Sequence, residues 1–470
     1  VNVVTSTVPA ARDGRRRTAP TLSPTAVVIG ALVIGGTMVA GYVALVLRTL
    51  HVDPLDRGFV LPLVFIVSVS LVAFGWLARR HPDEPWLFWL LLIGLGARLI
   101  GAYLRYRSLT DAYSGVGDAT GYDSYGHDFA SAIFLNSATP HLPDLSATNF
   151  MRGTTGGLYV VTGPEIYTGF FVYAYAAFWG SYLWYRAAAD AVPMLNRRLY
   201  LALLLLVPSL AYWPSSISKE AVMMLGTGAF AYAASLLLRR RGFVAFPIGV
   251  ASALLVNQVR PHLAAMCALA LTVAYVFGRV RARDERPGSI HLGRVLCTIA
   301  LVVGSAVAVV HASDFLRLDS LSPDAVAERL QEQAATTAEG TTFDAPEPSL
   351  TVAAIPNGLV TVLFRPFLTE ADSTFIALAA VEATAFAVLA IWRWQSILLG
   401  LRSLRRYPFL LYALVFLLVF ATAFSSFRNL GLLARERSLV LPAFFLFCSI
   451  RAPIAARIVP VRRARAVGVT

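Results

Sequence analysis

The sequence predicts an all-α protein, a polytopic bundle of transmembrane helices, and three observations predict it. Apolar residues fill 57% of the 470 positions, and the mean hydropathy is +0.65. Charged residues make up 14%, against about 25% in a soluble domain. Uncharged apolar runs recur along the chain, and a spanning helix needs about 20 such residues. Hydrocarbon offers the backbone no hydrogen-bonding partner, so runs of this kind are helices.

A basic tail at 1–25, carrying Arg12, Arg15, Arg16 and Arg17, comes first. The run from Ala26 to Leu47 is too long for a cleavable signal and reads as a span. The transmembrane domain covers 26–450 with about twelve spans. They are placed at 26–47, 58–78, 86–104, 164–184, 199–213, 219–238, 243–258, 261–278, 293–311, 373–392, 408–424 and 438–450. A second basic tail, 451–470, closes the chain. With the N-terminus inside, most of the 40 basic residues fall on the cytoplasmic side and most of the 27 acidic ones outside. The clusters at Arg79–Arg80, Arg197–Arg198, Arg239–Arg241, Arg279–Arg286 and Arg402–Arg406 all obey the positive-inside rule. The expected location is therefore the cell membrane, with both termini cytoplasmic.

The formal charge of +13 is thus a topology signal and a contact with anionic lipid headgroups, not a nucleic-acid surface. Two extracytoplasmic loops are long, at 105–163 and 312–372. Within the second, Pro323–Ala335 reads as a short amphipathic helix and 339–349 as a loop. Cytoplasmic loops are short, which excludes an ATPase or kinase module, and no phosphate-binding glycine motif appears. The three cysteines sit in apolar runs with no pairing pattern and read as core or lipid-facing residues.

Five polar segments fall at span ends on the outer face: Gly117–Asp128, Trp213–Glu220, Asn257–His262, Phe364–Glu370 and Arg428–Arg437. In the first, a helix starting near Gly121 puts Asp123 and His127 one turn apart on one face. Asp118 then stands on the glycine-flanked turn before it, where a ligand can approach. Asp118, Asp123 and His127 are the catalytic candidates, with a carboxylate as general base. Tyr122 and Asp128 are binding candidates. Helix capping on a solvated loop explains the same residues more simply. A divalent metal held by Asp118, Asp123, His127 and Asp128 is a further alternative, but the spacing matches no ligand motif, so neither metal nor cofactor is expected.

In the second segment Lys219 is the one lysine of the chain. Its serines and helix N-terminus suit an anion such as phosphate; an interfacial lysine behind a capping serine is the plainer account. Arg260, Arg365, Arg435 and Arg437 lie on the same face, where the positive-inside rule does not call for them. Guanidinium groups grip phosphate with paired hydrogen bonds, and they also snorkel to headgroups. The five cations are expected to share one basic cavity. Arg98 and Glu382 fall inside spans, where charge is costly; they are expected to pair with each other, an ion path being the rival reading.

These segments resemble the GT-C superfamily of polytopic glycosyltransferases and the related O-antigen and exopolysaccharide polymerases. The resemblance rests on Gly117-Asp118 through Tyr125-Gly126, Pro208 through Lys219-Glu220, Leu363–Phe367, and Asn429-Leu430-Gly431 through Arg435-Glu436-Arg437. It implies a polyprenyl-phosphate or -diphosphate sugar donor, a glycan or glycolipid acceptor, and chemistry at the outer face. It also implies an acid of the first long loop as base or acceptor-positioning group. The chain departs from the commonest pattern in having no paired acidic dipeptide in that loop and no large soluble C-terminal domain. A transporter or flippase of lipid-linked oligosaccharides is the alternative, for which polar residues should gather near the bilayer midplane.

Overall fold

The computed structural model describes residues 60–142, 144, 146–239, 242–278, 292–316, 318, 320, 322–338, 343 and 351–451. The expected span at 26–47, nearly all of both tails, the arginines at 279–286 and all but one residue of the expected loop 339–349 lie outside these residues, as do Arg240 and Arg241. The described chain is all-α; its one β feature is an isolated bridge between Leu195 and Ile450.

The helices run in this order: α1 Val60–Arg80, α2 Leu87–Arg107, α3 Asp118–Phe134, α4 Ala147–Thr162, α5 Ile166–Ala191, α6 Arg197–Leu206, α7 Pro208–Tyr212, α8 Lys219–Leu238 and α9 Gly242–Val259. After them come α10 Pro261–Phe277, α11 Leu292–Phe315, α12 Pro323–Thr336, α13 Ile355–Phe364, α14 Thr374–Trp392, α15 Trp394–Arg402, α16 Pro408–Phe424, α17 Leu430–Arg437 and α18 Leu441–Cys448. Among the described residues, five helices are long and apolar enough to cross a membrane: Pro62–Arg80, Leu87–Ala112, Lys219–Leu238, Cys297–Phe315 and Thr374–Trp392. Shorter apolar helices cover Phe243–Val259, Pro261–Phe277, Ile355–Phe364 and Pro408–Phe424.

Two expected spans are interrupted. The one at 199–213 breaks at Val207, because Pro208 disfavours the helical conformation in the residue before it. The one at 438–450 keeps only the eight residues of α18. The loop 105–163 is largely helical, as α3 and α4, which pack on each other through Gly126 against Thr155 and Tyr159 and through Gly156 against Phe129.

The buried centre is the pair α5 and α8. A side chain at Gly180 would meet the carbonyl of Met224, and one at Gly228 the carbonyl of Gly180. Small residues let the two backbones touch, which is how apolar helices associate where lipid is as apolar as leucine. Trp184, fully buried on α5, lies against Phe409, Tyr412 and Phe416 of α16. A third close approach joins α2 to α7, where a side chain at Gly101 would strike the carbonyl of Ala211. It sets the end of α2 beside the polar segment that follows α7.

Candidate functional site

After Arg107 the backbone of α2 widens into one π turn, Ser108–Ala112. Gly115 N donates to the carbonyl of Leu109 at 2.8 Å, and Gly115 takes φ +76°, a left-handed conformation that suits glycine. The Thr120 hydroxyl donates to the Gly115 carbonyl at 2.6 Å. This tight reversal starts α3 at Asp118 itself, three residues earlier than its expected start near Gly121. Asp118 is thus the first residue of the helix, where a carboxylate meets the positive end of the helix dipole.

Asp118 opens onto a cavity of about 580 Å³, also lined by Arg105, Trp213, Phe375, Asn429 and Arg435. Three of the five polar segments therefore meet: the start of α3, the turn between α7 and α8, and α17. The Asp118 carboxylate is 61% exposed and stands 3.5 Å from the Arg435 guanidinium. Across the cavity, the Arg105 guanidinium lies 4.9 Å from the centre of the Trp213 ring and 5.3 Å from that of Tyr212. The Tyr212 hydroxyl donates to Ser108 Oγ at 2.8 Å, tying this aromatic floor to the π turn. Among the described residues no carboxylate pairs with Arg105, and its Nε is buried without a hydrogen-bond partner.

Behind Arg435 runs a chain of buried charges. Arg435 Nη2 is 2.8 Å from Glu220 Oε2. Glu220, wholly buried at the start of α8, accepts from Arg260 Nη2 at 2.7 Å. Arg260 also grips both oxygens of Glu436, one of them at 2.7 Å. From the exposed Asp118 inward, Arg435, Glu220, Arg260 and Glu436 thus alternate in sign, as desolvated charges must to repay the cost of burial. Lys219 Nζ donates to Thr148 Oγ1 at 3.2 Å, and neither Lys219 nor Arg260 lines the cavity.

The expected single basic cavity is not what forms. Only Arg435 of the five cations faces it. Arg365 pairs with Glu370 at 2.8 Å and lies over the rings of Phe343 and Phe367. Arg437 is fully buried, donating to the carbonyls of Leu363 at 3.3 Å and Arg365 at 2.8 Å, with Glu382 at 3.4 Å. The reason is helical geometry: at 3.6 residues per turn, positions two apart point to opposite sides, so Arg435 and Arg437 cannot share a cavity. Arg98 and Glu382 do not pair either. Arg98 donates to Ser181 Oγ at 2.7 Å, while Glu382 accepts from the backbone N–H of Ser209 at 2.7 Å, from its hydroxyl, and faces Arg437.

The other acids of α3 lie off the cavity. Asp123 accepts from the Tyr159 hydroxyl, not from His127. Burial pushes its carboxyl above the usual range, opposed by that hydrogen bond. His127 is exposed, 3.9 Å from Asp128, and Tyr122 is buried. Among the described residues no three His, Cys, Asp or Glu side chains group as they would around a metal ion. Arg105 and Phe375 escaped the sequence reading. Arg105 ends an apolar run, where arginine is ordinary; the signal was the Tyr212-Trp213 pair it rests on.

Compared with known proteins, the chain matches no family model, no curated protein and no solved structure.

Proposed function

We propose that this protein is a membrane-embedded glycosyltransferase or polysaccharide polymerase, drawing on a polyprenyl-(di)phosphate sugar donor at the extracytoplasmic face of the cell membrane. About twelve spans with both termini in the cytoplasm belong to the same reading. One observation carries it: an exposed carboxylate, Asp118, faces two cations, Arg105 and Arg435, across a cavity floored by aromatic rings.

In this reading the acceptor hydroxyl loses its proton to Asp118 and its oxygen bonds to the anomeric carbon. The bond from that carbon to the donor phosphate breaks, and the electron pair leaves on phosphate oxygen, where Arg105 and Arg435 stabilise it. Phosphate arriving on Arg435 competes with Asp118 for that guanidinium and so frees the base as the donor seats. Trp213 and Phe375 offer ring faces to the sugar.

With purified protein and a polyprenyl-phosphate sugar, Asp118→Asn should lower turnover about 10²- to 10⁴-fold, the usual worth of a general base, without loss of folded protein. Full turnover in Asp118→Asn removes Asp118 as base; a dead Asp123→Asn variant in the same assay moves the role to Asp123. If Asp118→Asn, Asp123→Asn and Asp128→Asn are all active, α3 carries no base. The alternative, transport of a lipid-linked oligosaccharide, draws on one observation. Arg98 is wholly buried inside an apolar helix with a single hydroxyl partner, and charge at that depth belongs to pathways as well as to scaffolds.

A further inference from the structure

A second cavity, also about 580 Å³, lies under the amphipathic helix α12 and between α10, α13 and α16. Val326 and Leu330 of α12 face Met266, Ile355 and Val419 across it, so the walls are mainly hydrocarbon. Most of its polar groups already have partners. Gln333 accepts from Ser426 Oγ at 2.9 Å, Thr337 accepts from the backbone N–H of Arg428 at 3.1 Å, and Thr422 donates to the Leu418 carbonyl at 3.0 Å. Arg329 pairs with Glu332 at 2.5 Å and stays 40% exposed at the rim.

The exception is His262. Its ring sits 6.0 Å from each of Phe315 and Phe424, and its Nδ1 is buried with no hydrogen-bond partner. An unmatched imidazole nitrogen in an apolar chamber costs free energy until a ligand atom satisfies it. The occupant must therefore be largely hydrocarbon with one hydrogen-bonding group near His262, and the half-exposed Arg329, which meets Glu332 through one of its nitrogens, keeps further N–H donors for a negative head at the rim. The neighbouring α11 presents Val302, Val307 and Val310 outward, exposed by about half or more, so hydrocarbon surrounds the approach.

We infer that this cavity binds one membrane lipid, with its chain between α12 and α16 and its polar head at His262 and Arg329. Anionic head and hydrocarbon tail are common to acyl phospholipids and isoprenoid phosphates, and the site takes that shared chemistry. The inference rests on the membrane reading of the helices and not on the reaction proposed above.

The test uses the full chain in vesicles, once co-flotation shows it is membrane-inserted. One preparation carries a diazirine-bearing phosphatidylglycerol, the other a diazirine-bearing polyprenyl phosphate. After illumination, mass spectrometry should find label on Leu316, Leu330 or Val419, and the preparation that labels them names the source. Leu330→Trp and, separately, Val419→Trp fill the cavity from opposite walls and should abolish that label while leaving label on Val302 and Val307. His262→Phe should lower it about three- to tenfold, the worth of one hydrogen bond. Label confined to the outward valines in both preparations, or cavity label indifferent to both tryptophans, overturns the inference. Unchanged labelling in His262→Phe overturns the assignment of the head.

Discussion

At the scale of single residues, Arg105 and Arg437 show how differently one side chain can be used. Arg437 is sealed among carbonyls and the Glu382 carboxylate, whereas Arg105 rests on aromatic rings and, among the described residues, pairs with no carboxylate. Breaking a buried ion pair by removing one partner costs about 3–5 kcal/mol. Arg437→Ala should therefore lower the unfolding temperature in detergent sharply, whatever the substrate. Arg105→Gln should leave that temperature near the wild-type value and reduce turnover of a lipid-linked sugar. Equal thermal losses in the two variants would make Arg105 a structural residue. Sequence could supply the residue types here, since acids and arginines at span ends stand out in so apolar a chain. It could not supply the partners, because Glu220, Arg260 and Glu436 are far apart in the chain and meet only through tertiary packing.

At the scale of elements, the apolar runs were easy to read: length and hydropathy alone locate α1, α2, α8, α11 and α14. Helix α4 was not. Its sequence, with Gly153, Gly156 and Gly157 among threonines, has poor helix propensity. It folds because α3 lies on it, and that contact is invisible to local pattern. The approach of α2 to α7 is of the same kind, and it positions the Arg105 platform. Gly101→Val should push these helices apart at Ala211. Overpacking of this sort costs about 1–3 kcal/mol, and turnover should fall together with stability. Gly96→Val on the same helix has open space around it and should be neutral by both measures.

At the scale of the whole molecule, the orientation proposed rests on the asymmetry of arginine and acid along the chain. In a variant lacking native cysteines, Ser114→Cys and Asp372→Cys should react with an impermeant maleimide added to intact cells, and Arg402→Cys only after lysis. Reaction at Arg402→Cys in intact cells would invert the topology and put the Asp118 cavity on the wrong side for an extracytoplasmic donor. The chain of charges from Asp118 to Glu436 belongs to this scale too, since it ties α3, α8, the α9–α10 turn and α17 into one unit. Its inheritance should show it. A lineage that loses one charge strands its neighbour in a buried site, so descent should keep Glu220, Arg260, Arg435 and Glu436 as a set or exchange them in opposite-signed pairs. Asp118, with most of its surface open, is under no such compulsion from folding. If it proves invariant across relatives that have rewritten the rest of α3, selection for chemistry is what holds it there.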